Sequence, residues 1–167
     1  MPGTSDSIGR DYPDPGWKLL DAARERLLLT RTLPEIMEIV RATARSVASA
    51  DGVTFVLREG DECHYIDEDA ISPLWKGQRF PLTECISGWS MIHGQTAAIE
   101  DITLDPRIPQ HAYRPTFVKS LIIAPAGHDA AIGAYWRDRH AFTPREVALI
   151  EALAAAVAEA MAKAEAA

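Results

Sequence analysis

The chain has 167 residues, with 24 acidic and 17 basic side chains and a formal net charge of −7. Hydrophobic residues make up 47% of it and charged residues 25%, so its length and composition predict one globular domain with a substantial core. The acidic balance disfavours a nucleic-acid or anionic-membrane binder, which needs a basic face. The sequence has no apolar run of the roughly 20 residues that span a bilayer and no signal-peptide pattern. We therefore expect a cytoplasmic protein without nucleic-acid or membrane partners.

The N-terminal part predicts a tail followed by two helices. Residues 1–16 contain three Pro and three Gly, which favours a flexible tail, and residues 17–167 are expected to form a single domain. Apolar residues at helical spacing predict a first helix over 17–30. Thr32 and Glu35 then match a capping box, in which the side chain of each residue accepts a hydrogen bond from the backbone N–H of the other. A second helix is therefore expected to begin there.

The middle of the chain predicts strands and one short helix. Residues 53–58 and 63–67 are apolar or alternating and form an expected hairpin, and residues 78–82 predict a third strand. Residues 85–94 have apolar residues at helical spacing and end in glycine, which predicts a short helix. Residues 96–101 predict a fourth strand.

The C-terminal part predicts two more strands and a long helix. The strands cover 120–126 and 131–136, and the helix covers 143–167 and opens with a second capping box, Thr143 to Glu146. The order of elements predicts an α+β fold. In it, a central antiparallel sheet of about six strands carries the N- and C-terminal helices on one face and loops on the other.

The last helix carries apolar residues that step by three and four positions, at Val147, Ile150, Ala154, Val157 and Met161. Such a seam is typical of paired helices. We therefore expect a homodimer formed through the terminal helices, in which Glu at Ile150 and Val157 would give folded monomers.

Several short motifs occur in a characteristic order: ISGW (86–89), AIEDI (98–102), DPR (105–107), AYRPTFVKSLIIAP (112–125), AIGAYW (131–136) and FTPREVALIEALA (142–154). Together they resemble a GAF domain over residues 20–160. The stretch EDAISPLWKGQRFPLTECISGW (68–89) also resembles the GAF domains of HWE-type bacterial sensor histidine kinases.

The resemblance implies a non-catalytic regulatory module of bacterial signal transduction, such as the input domain of a two-component sensor histidine kinase. It also implies a small-molecule cavity between the sheet and the loop-bearing face. The sequence contains no asparagine and no Gly-x-Gly, so the magnesium-holding Asn of that kinase group and a glycine-rich phosphate loop are both missing. We expect no catalytic residue, no cofactor and no metal site in this chain.

The resemblance also implies that residues 105–119 form the lid of the cavity. Asp105 and two prolines favour a turn, and the following residues predict a short helix with Tyr113 and Phe117 four positions apart. Arg107 and Arg114 would either bind an anionic ligand or pair with nearby carboxylates, and both options stay open.

The ligand is expected to be small, planar or heterocyclic, and neutral or anionic, with an aromatic or an anionic molecule as the candidates. Aromatic residues would supply ring faces and polar residues the anchors. The candidate ligand-binding residues are Trp75, Arg79, Cys85, Trp89, Asp101, Arg107, Tyr113, Arg114 and Phe117.

Two other functions stay open at this point. Cys85, at the start of the short helix, and Cys63 could act by thiol exchange, as in free methionine-(R)-sulfoxide reductases. Cys63 followed by His64 also spells the pair that attaches a bilin in phytochrome-like relatives, although it lies in an early hairpin rather than in a later loop. A coupled sulfoxide assay tests the first function, and visible absorbance of the purified protein tests the second.

Overall fold

The computed structural model of the protein describes residues 14–166. The helices are α1 (Pro15–Leu28), α2 (Leu33–Ala48), α3 (Ile86–His93), α4 (Gln110–Tyr113) and α5 (Pro144–Ala166). The strands are β1 (Gly52–Glu59), β2 (Glu62–Ala70), β3 (Arg79–Pro81), β4 (Ala97–Ile99), β5 (Ser120–Ala126) and β6 (Ala130–Trp136). Short 3-10 turns at Leu82–Glu84 and Ile102–Leu104 complete the secondary structure.

The six strands form one antiparallel sheet in the order β3-β2-β1-β6-β5-β4. The β1–β2 hairpin closes between Glu59 and Glu62, with Gly60 at a positive φ of 63° in its turn. The register of this hairpin shifts between Phe55 and Val56, so that Ile66 is an extra residue on β2. The sheet confirms the predicted α+β class, and the bulge at Ile66 positions the site described below.

Helices α1, α2 and α5 pack against one face of the sheet. Strand β5 shows the alternation that this requires, because Ile122 and Ala124 lie in the core under the helices, whereas Leu121 and Ile123 lie in a second core on the opposite face. Loops and short helices cover that opposite face, as predicted. Within residues 14–166, no helix combines the length and the apolar character needed to cross a bilayer.

Both predicted capping boxes form. Thr32 accepts from the Glu35 backbone N–H at 3.4 Å, and the Glu35 carboxylate accepts from the N–H of Arg31, one residue before the expected donor. At α5, Thr143 accepts from the Glu146 N–H at 3.2 Å and donates its own N–H to the Glu146 carboxylate at 3.1 Å. These caps satisfy backbone donors that the first helical turn leaves free.

The apolar seam of α5 faces the protein's own core. Ile150, Ala154 and Val157 are 0–1% exposed and pack with the sheet and the other helices. The expectation that this seam holds a second copy was therefore wrong, because a stripe at helical spacing shows only that one helix face is buried. Glu at Ile150 or Val157 would bury a charge in the core and disrupt the fold.

Two predicted segment boundaries also differ from the structure. Most of the predicted tail (residues 1–13) lies outside the described residues, but α1 already begins at Pro15, since the Asp14 side chain caps it by accepting from the Gly16 N–H at 2.8 Å. The helix predicted across Pro115 was wrong. Helix α4 ends at Tyr113, before that proline, whose ring clashes with a preceding helical turn.

Helix α3 packs so closely on the 3-10 turn before it that Gly88 has no room for a side chain. A Cβ at this position would lie 1.7 Å from the carbonyl oxygen of Leu82. Glycine is therefore needed here for close backbone approach, although Gly88 lies within a helix, where glycine is otherwise unfavourable.

We expect Gly88→Ala to lower the free energy of unfolding by at least about 2 kcal/mol, since the added methyl group overpacks against backbone. In an unhindered helix the same change would raise stability by up to about 1 kcal/mol. Ser46→Ala, on the exposed side of α2, is the control and should be neutral or slightly stabilising. Urea denaturation followed by circular dichroism measures both variants, and a Gly88→Ala protein as stable as the wild type would contradict this packing.

Candidate functional site

Five aromatic rings cluster on the sheet face opposite the helices, and we call this region the aromatic cavity. The rings belong to Tyr65 (β2), Trp75 (loop 71–78), Phe80 (β3), Tyr113 (α4) and Tyr135 (β6). The Trp75 ring centroid lies 4.7 Å from that of Tyr113 and 5.4 Å from that of Tyr135. The Tyr65 ring lies 5.6 Å from both Trp75 and Phe80. These are tilted and edge-to-face contacts, the favoured geometries for aromatic pairs.

Trp75 is held in the cavity by the side chain of Glu68. The carboxylate of Glu68 accepts three consecutive backbone N–H groups, from Leu74 at 2.9 Å, Trp75 at 2.9 Å and Lys76 at 2.8 Å. The indole Nε1–H of Trp75 in turn donates to the carbonyl oxygen of Ala112 at 3.0 Å. Loop 71–78 is thus tied to β2 on one side and to the lid segment (residues 105–119) on the other.

The bulge at Ile66 determines which carboxylate binds the loop backbone, whereas Asp67 contacts the loop only through the Lys76 ammonium group, at 3.2 Å. Successive side chains of a strand alternate between faces, and one extra residue reverses that alternation. Cys63 and Tyr65 point to the cavity, whereas Asp67, beyond the bulge, lies at the α2 side and contacts the Arg41 side chain at 2.5 Å. Glu68 therefore reaches the loop face, where it binds the backbone of residues 74–76.

Three buried tyrosines meet at the cavity, and their hydroxyl groups differ. Tyr65 Oη lies 3.1 Å from Ser87 Oγ, and Tyr135 Oη lies 2.9 Å from Thr54 Oγ1. Tyr113 Oη is the one buried side-chain polar atom in residues 14–166 without a hydrogen-bond partner. Burial raises the pKa of all three phenols, so they are neutral at physiological pH.

The two cysteines lie together beside the rings. The Sγ atoms of Cys63, on β2, and Cys85, the N-cap residue of α3, are 2.8 Å apart. The Gly88 N–H donates to Cys85 Sγ at 3.4 Å. The hydrogen bond with Cys63 and the backbone donors of α3 lower the pKa of Cys85, whereas the hydrogen bond with Cys85 and burial raise the pKa of Cys63.

Side chains fill the cavity almost completely. About 10 Å³ of open space remains, lined by Tyr65, Trp75, Phe80, Cys85, Pro109, Ala112 and Tyr113. This lining contains no cationic side chain. It is apolar apart from two hydroxyl groups, the Trp75 Nε1–H and a thiol.

Of the nine predicted site residues, Trp75, Cys85 and Tyr113 line the aromatic cavity. Phe117 packs at its edge, where its ring would lie 3.0 Å from a Cβ at Gly52. Trp89 is half-buried, packs against the same core, and stacks on His93 with ring centroids 4.7 Å apart.

The four charged candidates do not face the cavity. Arg107 forms a two-point ion pair with Asp105, with contacts of 2.7 and 3.0 Å, and its guanidinium lies 4.3 Å from the Trp89 ring centroid. Arg79 lies on the exposed side of β3 and pairs with Glu59, and Arg114 is exposed. Asp101 caps the 3-10 turn that follows it and pairs with Arg139 at 3.1 Å. The ion pairing expected as one option for Arg107 is thus present.

Four residues of the site were not predicted from the sequence: Tyr65, Phe80, Tyr135 and Glu68. The alternation of Cys63 and Tyr65 in β2 was a usable signal for the first of these. Glu68 had no such signal, because its position depends on the bulge.

The sequence matches one family model, and the fold is similar to that of several solved structures. The sequence profile of the GAF domain family matches residues 30–162. Among solved structures, the chain is similar to the GAF domain of a phosphoenolpyruvate-protein phosphotransferase from Coxiella burnetii (TM-score 0.78, 17% identity, 91% of this chain and 95% of that one). It is also similar to a free methionine-R-sulfoxide reductase from Neisseria meningitidis in complex with its substrate (TM-score 0.78, 14% identity, 93% and 95%). A third similar structure is the phycoerythrobilin-bound GAF domain of a cyanobacterial phytochrome (TM-score 0.73, 14% identity, 93% and 98%). No curated protein matches the sequence.

We expect Tyr113→Phe to raise the free energy of unfolding by about 1 kcal/mol, since a buried hydroxyl without a partner carries a desolvation cost. Tyr65→Phe is the matched control. It removes a buried hydroxyl that is paired with Ser87 and should lower stability by about 1 kcal/mol. Chemical denaturation compares the two variants, and equal losses for both would show that the Tyr113 hydroxyl is already satisfied.

Proposed function

The chain belongs to the GAF domain family of sensory small-molecule-binding modules, and we propose that it is a non-catalytic sensor that binds a small planar ligand in the aromatic cavity. One observation carries the proposal. The Tyr113 hydroxyl is buried and has no partner within the described residues, and its ring packs against Trp75 in the ring cluster. A ligand with a hydrogen-bond acceptor would satisfy it, whereas in the present structure its desolvation is uncompensated.

The ligand enters by displacing Trp75. The remaining space of about 10 Å³ is too small for any ligand, and the Trp75 indole occupies the middle of the cluster. One side-chain hydrogen bond, from Nε1 to Ala112, joins this indole to the lid segment. Outward movement of Trp75 would open room of the size of one bicyclic ring between Tyr65, Tyr113 and Tyr135. A planar aromatic or heterocyclic ligand fits this shape.

The lining favours a neutral ligand. Arg107 is engaged by Asp105 and stacked on Trp89, and Arg114 is exposed, so within residues 14–166 no cationic side chain lines the ring cluster. A buried carboxylate or phosphate without a partner charge would carry a large desolvation cost. The ligand class is therefore an uncharged planar molecule with at least one acceptor atom and one donor, the donor replacing the Trp75 Nε1–H at the Ala112 carbonyl.

A library of neutral heterocycles, screened by the shift of melting temperature and followed by calorimetry, tests this function. For a ligand found in this way, Tyr113→Phe should weaken binding by about 0.5–1.5 kcal/mol, the net worth of one neutral hydrogen bond. Arg114→Ala should leave affinity unchanged. Hydrogen exchange in loop 71–78 and the lid segment should change on binding.

The opposite result would be equally informative. A ligand that loses affinity in Arg114→Ala but not in Tyr113→Phe would bind outside the aromatic cavity. If no ligand alters exchange in loop 71–78, Trp75 is a permanent core residue.

The signal is proposed to leave through the terminal helices of a homodimer. A cleft of about 390 Å³ runs between α1 and α5, lined by Arg24, Leu27, Leu28, Ala152, Ala155, Ala156, Glu159, Ala160 and Lys163. Leu28 is 57% and Leu29 is 80% exposed beside it. Small alanines permit close helix approach, and the exposed leucines of a second copy would fill the cleft, which supports pairing through this face rather than through the buried seam of α5.

We expect Leu28→Glu to shift a dimer to monomers without unfolding the protein, because Leu28 is exposed in the single chain. Leu104→Glu places the same charge on another exposed leucine, on the loop-bearing side, and should leave the dimer intact. Light scattering coupled to size exclusion measures both. A wild-type protein that is monomeric at high concentration would contradict the dimer.

The proposed setting is the cytoplasmic input domain of a two-component sensor histidine kinase, or a regulator related to one. The similarity of residues 68–89 to HWE-type kinases supports this setting, and this sequence lacks the asparagine that such a kinase uses to hold magnesium. Sequencing of the gene and its neighbours, read for a following kinase domain or partner kinase, tests it.

A further inference from the structure

The two cysteines of the chain form a pair that the sensory function does not use. They are 22 positions apart, both are buried in the core on the cavity side, and their Sγ atoms are 2.8 Å apart. A disulfide bond is about 2.05 Å long, so the two sulfur atoms would need to approach by less than about 1 Å. The side chains already point at each other, which is the geometric requirement that most cysteine pairs fail.

The two thiols have different surroundings. Cys85 is the N-cap residue of α3, where the Gly88 N–H donates to its sulfur and the helix dipole favours negative charge. Cys63 lies at the start of β2 without such donors, 2.8 Å from Cys85 Sγ, and either sulfur of the pair can carry the shared proton. Cys85 is therefore the better nucleophile, and Cys63 is placed to attack the Cys85 sulfur in a second step.

Access to the pair is also unequal. Cys85 is 6% exposed and lines the open space beside Pro109 and Phe80, whereas Cys63 is 0% exposed and lies behind it. A small uncharged oxidant would meet Cys85 first. A large or charged oxidant would be excluded by the rings and the lid segment.

We propose that Cys63 and Cys85 are a peroxide-sensitive redox pair. The Cys85 thiolate attacks one oxygen of hydrogen peroxide, the O–O bond breaks, and a sulfenic acid forms with release of hydroxide. The Cys63 thiol gives its proton to that hydroxide, which leaves as water. The Cys63 sulfur then attacks the Cys85 sulfur, and the sulfenic oxygen leaves as a second water once protonated. Two thiols and one peroxide thus become one disulfide and two waters, and a small dithiol reverses the change by exchange.

A second contact between β2 and α3, two residues further along each element, couples the cysteine pair to the aromatic cavity. Tyr65 follows Cys63 by two residues on β2, and Ser87 follows Cys85 by two residues at the start of α3, and their hydroxyl oxygens lie 3.1 Å apart. Drawing the sulfur atoms together therefore moves α3 toward β2 next to the Tyr65 ring. This inference goes beyond the proposed ligand binding and does not depend on it.

Thiol counting on the full chain tests the pair. The protein is reduced with dithiothreitol, desalted, treated with hydrogen peroxide, quenched with catalase, denatured and alkylated, and intact mass is measured. We expect two alkylated thiols before peroxide, none after it, and two again after dithiothreitol, with the protein monomeric on a non-reducing denaturing gel. Two alkylated thiols after prolonged peroxide treatment, or a disulfide-linked dimer, would overturn the proposal.

Single variants test the roles of the two thiols. In Cys63→Ser, Cys85 should accumulate a sulfenic acid that dimedone labels. In Cys85→Ser, labelling of Cys63 should be at least about tenfold slower, since little of this buried thiol is ionised. Equal labelling rates would contradict the assignment, and Ala variants serve if a Ser variant fails to fold. Repeated turnover of free methionine sulfoxide with dithiothreitol would assign the pair to an enzyme and would also overturn the switch.

Discussion

The Glu68 carboxylate, bound by three consecutive backbone N–H groups of loop 71–78, is the interaction on which the cavity depends. Hydrogen bonds to a charged group contribute about 1.5–3 kcal/mol each, and here they fix a loop without secondary structure of its own. The loop in turn places the Trp75 ring among the tyrosines and gives the lid segment its indole hydrogen bond. A β-bulge at Ile66, two residues before Glu68, brings the Glu68 side chain to this face of the sheet.

The two faces of the sheet solve different packing problems. On the helix face, mostly aliphatic side chains of three helices and alternate strand residues form the core, and the Trp136 Nε1–H there donates to the Ser49 carbonyl oxygen. On the cavity face, tyrosine hydroxyls and thiols are buried with the rings, so each needs a local partner. Ser87 and Thr54 supply two of them. The Tyr135 side chain lies over Gly133, two residues earlier on β6. It fits because Gly133 has no side chain, since a Cβ on Gly133 would lie 2.4 Å from Tyr135 Oη. Tyr113 is left without a partner, which distinguishes the ring that a ligand would address.

The sequence predicted what depends on local chemistry and missed what depends on register and on partners. Both capping boxes, the β1–β2 hairpin and strand β5 were predicted because a few neighbouring residues determine them. The Ile66 bulge has no local signature, so Glu68 could not be placed. The apolar stripe of α5 was predicted to pack against a second copy of the chain, but it packs against the protein's own core. Periodicity shows that one helix face is buried and does not show which surface buries it. Arg107 was a reasonable ligand anchor until the structure placed Asp105 and Trp89 around it.

The start of α3 connects the parts of the cavity face. Its N-cap sulfur contacts Cys63, its Ser87 hydroxyl contacts Tyr65, and its Gly88 allows the backbone to lie against Leu82. Because these three contacts lie within one helical turn, they cannot change independently. Strand β5 then carries any displacement across the sheet, as its Ile123 packs in the cavity-side core while the adjacent Ile122 packs in the core that contains α5. A densely packed interior transmits such shifts rather than absorbing them. The same geometry that closes the cavity therefore joins it to the core that contains the terminal helices.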